Sequence, residues 1–263
     1  MKFISFTSGS CGNCYYLCND NGQALLIDAG ASMRRVRKSL ADKGLSLDAV
    51  ELILVTHEHL DHIRFLGTFC KYGNARVCAP RKLHSVLAGH SFTKDHIAAC
   101  RCVLEENVWN EVGSFSIRWF NVPHDASQTV GYAIKADGQL FVLMTDLKNV
   151  PAEAMELAKQ ADTVVIESNY DYDMLLDGPY PPELKQRILD EGHLSNAACA
   201  EAIKCFWHDG LKNIFLCHLS GNNNTPAKAY ESALSVLEEL GVGHGTVHLR
   251  TLERGKESPL VNL

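Results

Sequence analysis

The feature that most restricts this chain is an apolar run, "ELILV" from Glu51 to Val55, that ends directly in "THEHLDHI". A run of that kind reads as a buried strand. Three histidines, a glutamate and an aspartate then fall within the six positions His57 to His62. A packed core does not accept so many ionisable groups without partners, and a solvated loop has no use for imidazole at alternate positions. His57 and His59 alternate at the strand's end, so both can point into one cleft, and Asp61 and His62 follow as the chain turns into a helix. H-x-H-x-D-H thus offers two sets of ligands on one short loop, which suits a pair of cations about 3.5–4 Å apart. Imidazole together with carboxylate suits zinc, and also manganese or iron. Glu58 lies between ligands, and alternation turns it away from the cleft toward solvent.

The rest of the chain must fold so as to deliver partners to that loop. Apolar runs at "KFISFTS", "CYYLCN" and "ALLIDAG" predict a meander at the N-terminus. A helix capped by Ser32 comes next, then the strand "VELILVTH". Helical spacing returns in "HLDHIRFLGTFCKYG", and Pro80 stops the short strand "ARVCAP". "SFSIRWFNVPH" and "VGYAIKADGQLFVLMTD" read as strands, the latter a hairpin turning at "ADGQ". "PAEAMELAKQ" is a helix with Pro in its first turn, followed by the strand "TVVIES". The last third alternates helix and strand: "NAACAEAIKCFWHDG", "NIFLCHLS", "PAKAYESALSVLEELG" and "GTVHLRTLE". Two sheets packed face to face with helices outside fit this order. A doubly wound sheet fits less well, because the opening strands are hairpin-connected and no G-x-G-x-x-G opens a helix.

At 46% hydrophobic over 263 residues the chain has enough apolar content for one large α/β core. We read residues 1–263 as a single domain. No apolar stretch approaches the roughly 20 residues that span a bilayer, and "MKFISFTSGSCGN" is too short an apolar run for a secretory signal. These features place the protein in the cytoplasm, away from membranes. Its ten cysteines form no regular framework and read as buried thiols. Cys11 and Cys14 make a C-x-x-C, yet no second pair completes a zinc cluster and the following residues read as strand rather than helix. The net charge of −6 excludes a general polyanion-binding surface. Any nucleic-acid contact must be local, and Arg34, Arg35, Arg37 and Lys38 on the helix after Ser32 are the densest basic cluster. A solvated amphipathic face is the simpler reading of that helix.

"THEHLDH" resembles the signature of the metallo-β-lactamase superfamily, and the rest of that pattern follows in order. Asp28 in "LIDAG", His124 in "VPHDAS", Asp146 in "LMTDLK" and His218 in "FLCHLS" match its other motifs. The resemblance implies an αββα sandwich, an α/β (α+β) fold of two packed mixed sheets flanked by helices, and two divalent metal ions. It implies that His57, His59 and His124 hold one metal, that Asp61, His62 and His218 hold the other, and that Asp146 bridges them. Asp28 would orient the metal loop without binding metal. His59 stands where oxygen-reducing di-iron relatives usually carry glutamate, which favours hydrolysis.

A narrower resemblance lies in "ESNYDYDMLLDGPYPPELKQRILDEGHLSN", "HLSGNNNTP" and "SGSCGN", which look like the YycJ (WalJ) group, associated with DNA exonuclease activity. One position departs: the group's "SNHD" reads Ser168-Asn169-Tyr170-Asp171 here, so Tyr170 cannot serve as an imidazole. The same segment parallels the tRNase Z pattern, with Glu167 supporting His193. Only about 70 residues separate Asp146 from His218, too few for an inserted domain of ordinary size, so the nucleic-acid clamp of RNase J-type relatives is not expected. Asn222, Asn223 and Asn224 either shape a polar turn or contact phosphate.

The expectation is a dinuclear metal-dependent phosphodiesterase acting on nucleic acid, DNA before RNA, as a 5′→3′ exonuclease. Its candidate catalytic residues are Asp61, His193 and Glu167, with His193, held protonated by Glu167, as proton donor to the leaving oxygen. A cap for the helix after Ser195 is the plainer role for His193. The competing readings are a small-molecule hydrolase (lactonase, thioesterase or β-lactamase-like) and a non-catalytic scaffold. The seven ligand positions speak against the scaffold. No feature of the sequence signals an oligomeric state.

Overall fold

The computed structural model describes residues 1–263, the side chain of residue 191 excepted. Its first strands are β1 (Lys2–Thr7), β2 (Cys14–Cys18), β3 (Ala24–Ile27), β4 (Val50–Leu54), β5 (Arg76–Ala79) and β6 (Arg101–Val103). There follow β7 (Asn110–Val112), β8 (Phe115–Val122), β9 (Thr129–Ala136) and β10 (Gln139–Met144). The last are β11 (Thr163–Glu167), β12 (Asn213–Cys217), β13 (His248–Thr251) and β14 (Val261–Asn262). Among the described residues they form two seven-stranded sheets, ordered β14-β1-β2-β3-β4-β5-β6 and β13-β12-β11-β10-β9-β8-β7.

Both sheets are mixed for the same reason. Short turns join antiparallel neighbours, and helices cross over between parallel ones. Thus β1–β2 and β2–β3 are antiparallel whereas β3–β4, β4–β5 and β5–β6 are parallel. Likewise β8–β9 and β9–β10 are antiparallel, then β10–β11, β11–β12 and β12–β13 are parallel. The "ADGQ" turn is as expected: Asp137 and Gly138 have φ of 52° and 72°, the two positive values a type I′ hairpin turn needs.

Alternation along the strands sorts side chains into layers. In β2, Tyr15 and Leu17 face the opposite sheet, while Cys14, Tyr16 and Cys18 face the helices. Phe3 crosses the inter-sheet layer, its ring 4.8 Å from Phe215 and 5.6 Å from Phe141. Each such side chain buried in full stabilises the fold by about 1.5–3 kcal/mol. Helices cover the outer faces. Met33–Asp42 buries Met33, Val36 and Leu40, with Ser32 Oγ accepting from Arg35 N at 3.3 Å. Asn196–Phe206 packs on the second sheet, capped by Ser195.

Two segments carry detail beyond the sequence reading. The "HLDHIRFLGTFCKYG" segment is two short helices, Leu60–Ile63 and Leu66–Tyr72, not one. The stretch between β11 and β12 also holds more than the sandwich needs. It contains the helices Tyr172–Asp177 and Pro182–Arg187 and a π-helical turn, Ile188–Gly192, before the Asn196–Phe206 helix. This is a small helical excursion rather than an inserted domain, and it walls the cleft described next.

Candidate metal centre

Parallel strands deliver their C-terminal ends to one edge, and each expected site residue except His193, which follows the π-helical turn Ile188–Gly192, leaves such an end. Asp28 follows β3, the His57–His62 loop follows β4, His124 follows β8, Asp146 follows β10, Glu167 ends β11 and His218 follows β12. Asp28, Asp146 and His218 have φ of 62°, 54° and 54°. These are three of the five positive-φ non-glycine residues among those described, so backbone strain of about 1–3 kcal/mol apiece is concentrated at this edge. The loops are stitched together by backbone bonds: Asn13 N to Asp61 O at 2.7 Å, Ala29 N to His62 O at 2.7 Å and Gly30 N to Asn13 O at 2.8 Å. Only glycine fits at position 30, where a Cβ would lie 1.9 Å from the Asp61 carbonyl oxygen.

The imidazoles converge. Ring centroids of His57 lie 4.1 Å from His62, 4.6 Å from His59 and 5.2 Å from His124, and His62 lies 5.9 Å from His218. Most of these rings are tied at Nδ1, which leaves Nε2 for the cleft. His62 Nδ1 pairs with Asp28 Oδ2 at 2.7 Å. His124 Nδ1 donates to the Gly192 carbonyl at 2.9 Å, and His218 Nδ1 to Glu167 Oε1 at 2.8 Å. Bonding one ring nitrogen to an acceptor in this way sets the tautomer that a metal ligand needs. Asp28 is itself braced by Thr56, whose N and Oγ1 each donate to it at 2.8 Å.

The donor set fits cations. His57 Nε2 and His218 Nε2 are buried and find no hydrogen-bond partner among the described residues, a costly state unless something else occupies their lone pairs. Asp61 and Asp146 face the imidazoles directly, with Asp28 behind His62 and Glu167 behind His218. Burial pushes the Asp146 carboxyl up, but His218 and His62 outweigh burial and hold it well below the usual range. Burial opposes charge on His218 too, yet Asp146, Asp61 and Glu167 push it up to about 10. Burial keeps the His57 imidazole well below its usual value and therefore neutral. Ligand atoms of His57, His59 and His124 fall within 4.8 Å of one another, as do those of Asp61, His62 and His218, and of His57, His62 and Asp146. A fourth grouping, Asp146, Glu167, His193 and His218, is already satisfied by hydrogen bonds. His193 Nδ1 and His218 Nδ1 both donate to Glu167 Oε1, each at 2.8 Å.

All the expected site residues therefore meet. Asp28 and Glu167 reach the centre only through histidines, while the others line it. His59, Asp61, His124, Asp146, His193 and His218 border an open cavity of about 310 Å³, whose remaining wall includes Tyr180, Leu184, Arg187 and Ile188 of the helical excursion. Arg187 pairs with Asp125 at its mouth. Glu58 is not turned to solvent: its Oε1 accepts from Ser127 N at 2.8 Å and its Oε2 is buried, so it braces the loop that carries His124. Tyr170 is 7% exposed and pairs through its backbone with Ser195 and Asn196. Its phenol does not border the cavity. Asn224 is structural, its amide donating to the Ser168 and Asn169 carbonyls. Arg34 and Arg37 lie along a groove with Met33 and Tyr72 that shares no wall with the metal cleft.

Asn13 was not singled out as a site residue. Its Nδ2 lies 2.9 Å from His62 Nε2 and 3.3 Å from Asp61 Oδ2. The available signal was "SGSCGN", a polar turn before a buried strand, which says nothing of where the amide points. Asn169 was likewise unmarked, and its Nδ2 donates to the His218 carbonyl at 2.7 Å.

Comparison with known proteins agrees with the geometry. Residues 23–218 match the family model described as beta-lactamase superfamily domain. The chain is 33% identical over 245 residues to exodeoxyribonuclease WalJ of Streptococcus pneumoniae serotype 2, covering 93% of this chain and 91% of that one. It is 34% identical over 249 residues to exodeoxyribonuclease YycJ of Bacillus anthracis, covering 93% and 92%. The metallo-beta-lactamase fold protein YhfI of Bacillus subtilis superposes with a TM-score of 0.69 at 14% identity, over 98% of both chains. The two mixed sheets, the histidine-rich edge and the matches together show that the chain belongs to the metallo-β-lactamase superfamily, in the family of WalJ and YycJ.

Proposed function

We propose that the cleft holds two divalent cations, zinc or manganese, and hydrolyses phosphodiester bonds of DNA as a 5′→3′ exonuclease. His57, His59 and His124 would hold one ion, Asp61, His62 and His218 the other, with Asp146 shared. The chemistry such cations would supply is activation of water near neutral pH and neutralisation of charge on the phosphoryl oxygens. Asp61, part-exposed at the cavity wall, is placed to accept the proton of the attacking water. A positive centre offsets the local disadvantage of a net charge of −6.

One observation carries the reading beyond simple metal binding. His193 is not needed to complete either proposed ligand set, yet it borders the cavity with Nδ1 fixed to the fully buried Glu167. An imidazole oriented by a carboxylate beside the reacting centre is the arrangement a general acid needs. Its work is to protonate the departing 3′-oxygen, leaving 5′-phosphate and 3′-hydroxyl ends. The two relatives' names, exodeoxyribonuclease, support DNA as substrate. Of the ten cysteines five are buried, as expected, whereas Cys11 and Cys205 are exposed.

Digestion of end-labelled single- and double-stranded DNA and RNA with zinc, manganese or magnesium tests the activity. His193→Ala tests the acid: kcat on DNA should fall roughly 10²–10⁴-fold at normal metal content. A nitrophenyl phosphodiester, whose leaving group needs no proton, should be nearly unaffected. Equal loss on both substrates would make His193 a positioning residue and sink the acid role.

A further inference from the structure

We propose that Arg254 is the phosphate-binding residue that holds the DNA strand at the rim of the metal cleft, an assignment that rests on the nuclease reading above. The turn that carries it, Glu253–Lys256, is fixed in place: Leu252 N donates to Leu216 O at 2.7 Å and Lys256 N to Glu253 O at 3.2 Å. Arg35 clamps the same turn by donating to the carbonyls of Gly255 and Phe6. This is the use to which the basic helix after Ser32 puts its second arginine.

From that turn the Arg254 side chain runs across two glycines. A Cβ at Gly221 would lie 2.2 Å from Arg254 Nη1, and a Cβ at Gly9 would lie 3.2 Å from its Cγ. The bed is therefore made by two loops, "SGSCGN" and "HLSGNNNTP": Gly9 is held to glycine by its φ of 118°, and Gly221 leaves the space that the guanidinium fills. Their neighbours Ser10, Leu219 and Ser220 border the cavity, so the guanidinium rests on residues one step along the chain from the cleft wall. Other cations nearby are engaged: Arg187 with Asp125, Lys228 with Asp171, Lys256 with Glu253. Among the described residues no carboxylate or carbonyl takes up the Arg254 guanidinium. A planar guanidinium pre-set over backbone, with its donors free, matches a phosphodiester. A chain of net charge −6 can grip a polyanion only through such local groups.

The test uses two variants that reach the same group by different routes. Arg254→Ala removes the charge. Gly221→Ala keeps it but places a methyl where Nη1 lies; position 221 is not in the left-handed region, and the flexible guanidinium can swing aside, so the fold is kept. Steady-state digestion of a labelled oligonucleotide at several salt concentrations is the assay, with metal content and melting temperature as controls. Both variants should raise KM for DNA roughly ten- to hundredfold with little change in kcat. Arg254→Ala should also flatten the log–log salt dependence of kcat/KM by about 0.7–0.9, one lost phosphate contact. If wild type cleaves DNA but Arg254→Ala keeps its KM and slope, the assignment falls and the nuclease reading stands. A Gly221→Ala variant indistinguishable from wild type overturns the glycine bed. A wild type that turns over a nitrophenyl phosphodiester but no DNA overturns the nuclease reading and this assignment with it.

Discussion

Asp28→Asn keeps the size and shape of a side chain that touches no proposed metal, so its effect isolates the orienting hydrogen bonds. The carboxylate is fully buried and takes three donors: Thr56 N on Oδ1, and Thr56 Oγ1 and His62 Nδ1 on Oδ2. Asparagine has one oxygen to offer. If that oxygen faces Thr56 N, the amide NH₂ faces His62, which must present a lone pair at Nδ1 and carry its proton on Nε2. Nε2 is the atom turned to Asp146 at 3.2 Å and Asp61 at 3.5 Å, and a protonated Nε2 cannot bind metal. If the amide flips, Thr56 N is left as a buried donor without a partner. Either outcome costs about 1–3 kcal/mol, which corresponds to roughly 10–100-fold in metal affinity. Competition against a chromophoric chelator should show that loss confined to the His62 site, with kcat largely recovered at saturating metal. Unchanged affinity at both sites would refute the tautomer argument, and so would a loss shared equally between them.

Asp146→Asn should lower metal content at both sites and cut activity by more than it lowers the melting temperature; normal stoichiometry in that variant would remove Asp146 as a shared ligand. In metal-free protein His218, pushed up to about 10, holds a proton that metal must expel, so calorimetric titration near neutral pH should show heats that vary with buffer ionisation enthalpy. Because its folded value exceeds the unfolded value of about 6.5, that charge stabilises the metal-free fold in full below about 6.5 and the stabilisation is lost as pH rises through about 10. Chelator-treated protein should therefore melt lower at pH 10 than at pH 7, and a rise would contradict the sign. Glu58→Ala frees Ser127 N and should weaken metal binding by less than Asp28→Asn does, with Glu58→Gln restoring it; no difference between the two variants would show that the brace is idle.

Much of this site is legible in one dimension because its candidate ligands leave strand ends. An apolar run that stops at an aspartate or histidine marks both the strand and the rim, as at Asp28, Asp146 and His218. Glu58 was misread for an instructive reason. Alternation does turn it from the metals, but the loop carrying His124 lies on that side, and only the packed fold brings Ser127 to it. Asn13 and Asn169 escaped because an amide in a polar turn has no periodicity to betray its direction. The helical excursion between Tyr172 and Gly192 was missed as a cleft wall because few of its side chains are buried, and without a buried stripe a helix leaves a weak pattern.

The order of the strands and of the amphipathic helices, and the layer each strand residue faces, follow from hydrophobic period and residue type, which are local properties; the proposed ligand set comes from the motif resemblance. Which nitrogen of each histidine faces the cleft, how one Glu167 oxygen serves both His193 and His218, and why position 30 admits only glycine depend on groups dozens of residues apart. Hydrogen-bond direction and close approach are properties of pairs of atoms in space, and only closing the two sheets on each other creates those pairs.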